Sequence, residues 1–336
     1  MTANTSRRLK TAFALMAVCI PVSLLFELVS DGRVSFAGVI IGVVLAAPLA
    51  LLEESAFDER VRRLPFSVAI VAKVFTYLGS VLSVFLLVSF VFGWLAGLTL
   101  EDFWVSLKEP VFAYQVGLGF FLYVVIVFFR QLDRLLGPGV LLRYLGGRYH
   151  RPRRELRIFM FLDLKSSTTL AEELGHERYY GLVNEFFRDI SGPVLDNGGE
   201  IYEYVGDEAV LTWKEEKGLK DARCLRVFFE IERIIEGKQQ RYLDQFGVVP
   251  GFKAGVHLGE VISAEIGDLK RGLVFNGDVL NTGARIQAEC GRLGKRLVSS
   301  AELFNRLVVP EGWGTEALGP VKLRGKSEPT ELVAIG

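Results

Sequence analysis

The sequence is poor in the residues that build covalently stapled scaffolds. Of 336 residues only three are cysteine, Cys19, Cys224 and Cys290, far apart and without a CxxC pair. That spacing excludes a disulfide framework and a thiolate zinc site, and it fits a reducing compartment. Net charge is absent as well: 39 basic and 39 acidic side chains sum to zero, so no global positive field is available to hold nucleic acid through its phosphates. Charged residues make up only 23% of the chain against 50% hydrophobic, a balance too apolar for disorder. The length allows about two domains.

The apolar residues are unevenly spread. Runs from Thr11 to Val29, Val34 to Leu52, Val74 to Leu98 and Val111 to Phe129 contain one charge, Glu27. Each is at least about 19 residues, enough to cross a hydrocarbon core of ~30 Å as a helix. The pattern predicts four transmembrane helices over residues 1–129. Arg7, Arg8, Lys10, Arg60, Arg62, Arg63, Arg130, Arg134, Arg143 and Arg148 would fall on one side, and only Arg33 and Lys108 on the other. That asymmetry predicts a multi-pass protein of the cell inner or plasma membrane, in contact with lipid and with both termini cytoplasmic. Residues 130–155, in which Gly-Pro-Gly and Gly-Gly interrupt leucine-rich turns, read as a jointed cytoplasmic connector.

Residues 156–336 have the mixed composition of a single globular domain. RIFMFLDL, Arg157 to Leu164, reads as a strand covered on both faces. Helical periodicity follows from Glu177 to Leu195, and EIYEYVGDEAVLTW, Glu200 to Trp213, reads as a hairpin turning at Gly206-Asp207. Helix is expected from Asp221 to Phe246, strand from Gly251 to Ile266 with a turn at Gly259, and helix again from Val279 to Gly291. The order suits helices packed on one sheet, an α+β fold.

Several residues break these patterns in ways that carry chemistry. A carboxylate at the end of a buried apolar strand loses several kcal/mol of solvation unless a cation or hydrogen bonds replace water, and Asp163 is such a residue. Asp207, at the hairpin tip, is a second. Two carboxylates on adjacent strand ends suit Mg²⁺, which shares its remaining octahedral sites with phosphates, although Gly-Asp is also ordinary turn chemistry. The strand end runs through Ser166, Ser167 and Thr168 into a helix, whose first amides favour an anion, although Ser and Thr are also good N-caps without any ligand. Asn281 and Arg285 stand four residues apart on one helix face, an amide and a guanidinium that suit a ribose oxygen and a phosphate charge, although an arginine on a helix is generally surface charge.

Taken together, FLDLKSST, GGEIYEYVGDE, GVHLGEV and GDVLNTGARIQ resemble, in order and spacing, the catalytic domain of class III adenylyl and guanylyl (nucleotidyl) cyclases, over Arg157 to Gly336. The resemblance implies a ferredoxin-like catalytic fold, here behind a four-helix membrane anchor, dimerised head to tail. It implies two metal ions per site, Mg²⁺ or Mn²⁺, on Asp163, Asp207 and the carbonyl of Leu164. Ser166, Ser167 and Thr168 would cradle phosphate, with Arg324 or Lys326 meeting the terminal phosphates. Asn281 would orient the ribose, and Arg285 would stabilise charge on the reacting phosphate of the partner copy's nucleotide. Glu203 and Val274 fall where the family reads the purine. Glu203 also fits an exposed strand position, and it is the residue guanylyl cyclases tend to carry, while Val274 offers no hydrogen bond to either base. The expected activity is conversion of ATP to 3′,5′-cyclic AMP and pyrophosphate, with GTP cyclisation or a catalytically silent nucleotide sensor as alternatives. Diguanylate cyclases share a Gly-Asp-Glu hairpin, but Val205 replaces their first glycine, and the Asn281/Arg285 helix has no place in that scheme.

Overall fold

In the computed structural model of the chain, residues 152–267 and 272–336 are described throughout, together with 64–95, 99–106 and scattered shorter pieces between residues 12 and 132. The chain divides into two units, Met1–Leu135 and Leu136–Gly336. The first contains helices α1 (Phe66–Leu95) and α2 (Leu100–Ser106). The start of α2 is closed by a reciprocal cap, in which the Thr99 hydroxyl donates to Asp102 Oδ2 at 2.7 Å and the Asp102 amide donates back to Thr99 Oγ1 at 3.3 Å.

The expected membrane domain is corrected by this unit. Among the described residues no helix is long and apolar enough to cross a membrane. That overturns the four-span fold class and the multi-pass inner- or plasma-membrane placement with cytoplasmic termini, and leaves the lipid contact derived from them without support. Composition equated an uncharged run with a span, whereas a span also needs unbroken apolar helix along the whole run. The first, second and fourth runs are described only in pieces, and the third overlaps α1 as far as Leu95; α1 also carries the buried Lys73, immediately ahead of that run. Most of the expected connector, residues 133–151, lies outside the described residues.

The second unit runs β1 (Arg153–Leu164), α3 (Ser167–Leu174), α4 (His176–Asp196), β2 (Glu200–Val205), β3 (Glu208–Lys214), α5 (Glu215–Leu219), α6 (Arg223–Gly237), α7 (Gln239–Phe246), β4 (Phe252–Ile266), β5 (Gly272–Asn276), α8 (Asp278–Leu293), β6 (Leu297–Ser300), α9 (Ala301–Phe304), β7 (Thr315–Val321) and β8 (Thr330–Ile335). The strands make one sheet in the order β2-β3-β1-β4-β6-β8-β7, with β5 paired to β4. Among the described strands only β4 and β6 pair in parallel. The first four strands, with α4 between β1 and β2 and α6 between β3 and β4, have the ferredoxin-like order, and β6 to β8 extend that sheet.

β1 is the spine because both its faces are covered. Ile158, Met160, Leu162 and Leu164 enter the main core with Phe186 and Ile190 of α4 and Phe228 and Ile231 of α6. Burying each such side chain is worth roughly 1.5–3 kcal/mol. On the opposite face Phe159 and Phe161 pack with Val210, Val261, Phe275 and Val279. Alternation puts Arg157 and Asp163 on this second face too. Arg157 is fully buried there, 3.4 Å from both Glu155 and Glu200 and 4.3 Å above the ring of Phe275, so its charge is matched rather than stranded.

Helix α8 lies against this second face, and glycines in β4 let it come close. A Cβ at Gly255 would stand 2.2 Å from the backbone nitrogen of Gln287, and one at Gly259 would stand 2.9 Å from Cβ of Val279. The turn expected at Gly259 is therefore absent. β4 runs unbroken through it, and the glycine serves helix approach instead. The helix expected from Asp221 to Phe246 breaks at Lys238 into α6 and α7.

Candidate active site

The site begins where β1 runs out. Asp163 is the last residue of its face, opposite Glu208 across β3 and Lys253 across β4. Two donors converge on one of its oxygens: Gln287 Nε2 donates to Asp163 Oδ2 at 2.6 Å, and Lys253 Nζ lies 3.4 Å from the same atom. Asp207 occupies the two-residue turn between β2 and β3, where Val205 pairs with Glu208 and Gly206 takes φ 64°. That left-handed conformation suits glycine and lets the turn close tightly.

Charge is concentrated here without full compensation. Asp207 Oδ2 is buried and has no hydrogen-bond partner. Burial, and then the Asp207 charge, push the Asp163 carboxyl above its ordinary value despite Lys253 and Gln287. Burial likewise raises Glu208 to about 7, with Asp163 and Asp207 adding repulsion. The Tyr179 phenol, hydrogen-bonded to Ser167, is raised by burial and by both aspartates. A divalent cation is the group that would relieve all of these at once. Among the described residues no cluster of three or more acidic, histidine or cysteine side chains is arranged to hold a metal. The fit is therefore to a cation that takes two carboxylates and completes its shell with water and phosphate oxygens, as Mg²⁺ commonly does.

Beyond Asp163 the chain turns sharply into α3. Leu164 is buried as the last residue of β1, and Ser166 adopts a left-handed φ of 56°. Such a conformation is uncommon for a residue with a Cβ and costs of order 1–3 kcal/mol. Ser166 makes no side-chain cap to α3. Ser166 and Thr168 are exposed and Ser167 is turned to Tyr179, so the expected phosphate turn offers helix-start amides and two exposed hydroxyls beside Asp163.

The remaining expected residues lie on α8 and around it. Asn281 is exposed and Arg285 half-buried, its guanidinium against Gly325. Gln287 is two residues past Arg285, roughly 200° around the helix, and it faces the sheet. A single copy therefore brings Gln287, not Asn281 or Arg285, to its own aspartates. Lys326 is ion-paired with Asp278 at the start of α8, while Arg324 is exposed.

Glu203 and Val274 do not meet directly. A register shift between Ile201 and Glu203 sets Tyr202 out of sequence in the ladder, so that Glu203 pairs with Val210. Directly paired residues share a face, which puts Glu203 on the side of Val210 and Asp163. Val274 pairs with Ala264 on β4. Their neighbours join the two strands: the Phe275 amide donates to the Tyr202 hydroxyl at 3.3 Å, with ring centroids 5.1 Å apart.

Gln287, Glu208, Lys253 and Tyr179 went unread in the sequence. For Gln287 the signal was present. It is a polar residue in the buried set of α8, with Val279, Gly283, Ile286 and Cys290.

No protein-family model matches the chain. It is 37% identical over 210 residues to adenylate cyclase 2 of Rhizobium meliloti (strain 1021), covering 62% of this chain and 58% of that protein. The chain thus spans rather more than half the length of this relative. Two structures of a bacterial light-regulated adenylyl cyclase superpose with TM-scores of 0.56 and 0.55 at 20% and 21% identity. Each covers 68% of this chain, and the matched parts are 66% and 67% of those chains. At that identity the likeness establishes a shared fold.

Proposed function

We propose that this protein is a nucleotidyl cyclase that converts ATP to 3′,5′-cyclic AMP and pyrophosphate at a site shared between two copies of the chain. The observation that carries the reading is the half-buried pair Asp163 and Asp207, with the buried Asp207 Oδ2 left without a partner, beside a helix-start turn that suits phosphate. The similarity to adenylate cyclase 2 of Rhizobium meliloti supports ATP as substrate.

Asp163 and Asp207, with the carbonyl of Leu164, would hold two divalent ions, Mg²⁺ or Mn²⁺. Such ions supply charge neutralisation to the triphosphate and acidify the ribose 3′-hydroxyl. In the reaction the 3′-oxygen bonds to the α-phosphorus, the bond from that phosphorus to the β-phosphate bridging oxygen breaks, and the hydroxyl proton leaves to solvent. The amides and hydroxyls at Ser166, Ser167 and Thr168 bind the phosphate chain. Asn281 of the second copy orients the ribose so that attack is in line, and Arg285 of that copy offsets the charge that builds on the α-phosphate. The outward setting of Asn281 and Arg285 on α8, away from their own chain's aspartates, supports a second copy as the source of these groups. Arg324 is the basic residue better suited to terminal phosphates, because Lys326 is paired with Asp278.

A GTP-cyclising alternative has one observation in its favour. The register shift sets the Glu203 carboxylate on the Asp163 face, where it could accept from guanine N1 and N2 hydrogens. One experiment separates the two. The full chain is incubated with Mn²⁺ or Mg²⁺ and either ATP or GTP, and the products are identified by mass. Cyclic AMP from ATP supports the reading, cyclic GMP from GTP alone moves the substrate to GTP, and no cyclic nucleotide from either overturns it.

A further inference from the structure

Gln287 is an amide placed where a core hydrocarbon would be expected. It is 6% exposed, on the buried face of α8, and its Nε2 reaches 2.6 Å to Asp163 Oδ2. Its position is not adjustable by small shifts of the helix. The Gln287 backbone rests on Gly255, where no Cβ would fit, and one turn earlier Gly283 rests on the ring of Phe161, with a built Cβ only 2.7 Å from that ring. Both contacts are to β1 and its neighbour β4, the strands that carry Asp163 and Lys253. The amide is thus fixed to the same rigid sheet as the carboxylate it meets.

From this geometry we infer that Gln287 is a positioning residue for the acidic site: it holds the Asp163 carboxylate in one rotamer, with Oδ2 engaged, and presents Oδ1 to a divalent cation. Gln287 and Lys253 both meet Oδ2, and a carboxylate has roughly four lone-pair sites over its two oxygens. Oδ1 is the oxygen left with its lone pairs to give. A partner behind a metal ligand fixes the ligand's orientation, and its loss commonly weakens metal binding about 10–100-fold. The placement has a second consequence. α8 carries Arg285 on its outward side and Gln287 on its inward side, so one helix touches both the nucleotide of one shared site and the metal carboxylate of the other. The inference rests on the cyclase reading and adds a residue to it.

The test compares the full wild-type chain with Gln287→Met, which keeps length and packing but loses the donor. Gln287→Leu serves the same comparison should the methionine chain not fold. Two quantities are read: the Mn²⁺ concentration that half-saturates binding, followed by isothermal titration in the presence of 3′-deoxy-ATP, which lacks the attacking hydroxyl, and the KM for ATP at saturating Mn²⁺. The expected result is a Mn²⁺ requirement raised about 10–100-fold with KM for ATP within about twofold of wild type. A packing role alone would lower the melting temperature without moving the Mn²⁺ midpoint. A wild-type chain that binds Mn²⁺ and cyclises ATP, beside a methionine chain with an unchanged Mn²⁺ midpoint, overturns the inference alone. A wild-type chain that shows neither Mn²⁺ binding nor product overturns the cyclase reading and this inference with it.

Discussion

The carboxylate edge at the end of β1 and the outward face of α8 are chemical opposites in one domain. At the edge, Asp163, Asp207 and Glu208 crowd acidic groups into partly buried positions, and an Asp207 oxygen is left without a partner. On the helix, Asn281 stands in solvent and Arg285 is half-buried, an amide and a cation suited to ribose and phosphate. The edge needs positive charge and the helix face offers some, yet within one chain they point apart. What α8 gives its own edge is Gln287, a neutral donor. Under the proposed function each region is half of a site, and the missing half of each has the chemistry of the other.

The most direct way to break that comparison is to remove one half. Replacing Arg285 by alanine takes away charge that matters most as the reaction proceeds, and the expected loss is about 10²–10³-fold in kcat with KM for ATP little changed. Steady-state kinetics of the purified chain at saturating Mn²⁺ measure it, and an equal loss carried by KM would place Arg285 in ground-state binding instead. A smaller effect is expected from lifting the helix off the sheet. Gly255→Ala puts a methyl against the Gln287 backbone, so unfolding in urea should show a loss of about 1–3 kcal/mol. An unchanged midpoint would mean that α8 is not clamped where Gln287 meets Asp163.

The smallest effect concerns pH. His257, buried on β4 with Nδ1 2.8 Å from Ser300 Oγ, is lowered to about 4 by burial and then by Lys326, with Asp278 opposing. A histidine depressed in the folded state contributes stability that is complete above its ordinary value near 6.5 and is lost as pH falls from there towards about 4. Stability of the wild type should therefore decline between pH 7 and pH 5 more steeply than that of His257→Gln, measured by urea unfolding at both. Parallel declines would remove His257 as the cause.

The two halves were legible in the sequence to different degrees. Asp163 and Asp207 stood out because carboxylates interrupt apolar strands, and that local contrast needs no tertiary knowledge. Asn281 and Arg285 were found through helical spacing. Gln287 was not, because its importance depends on how closely α8 approaches β4, which the glycines at 255 and 259 decide and which hydrophobic periodicity does not encode. Gly259 itself was read as a turn for the same reason. Glu203 was ambiguous because the alternation in EIYEY holds only for a regular strand, and the register shift at Tyr202 changes its face. That helices pack on one sheet followed from element order, whereas the membrane reading is overturned because no described helix is long and apolar enough to cross a membrane, which composition alone does not record.

The proposed site requires two chains to complete each other's chemistry. Purified Asp163→Asn and Arg285→Ala chains, each nearly inactive alone, are mixed, allowed to exchange partners, and assayed for cyclic AMP with Mn²⁺. Half of a randomly paired mixture has one intact site of two, so about a quarter of wild-type activity should return. A mixture that forms mixed pairs and stays as inactive as its components would contradict it.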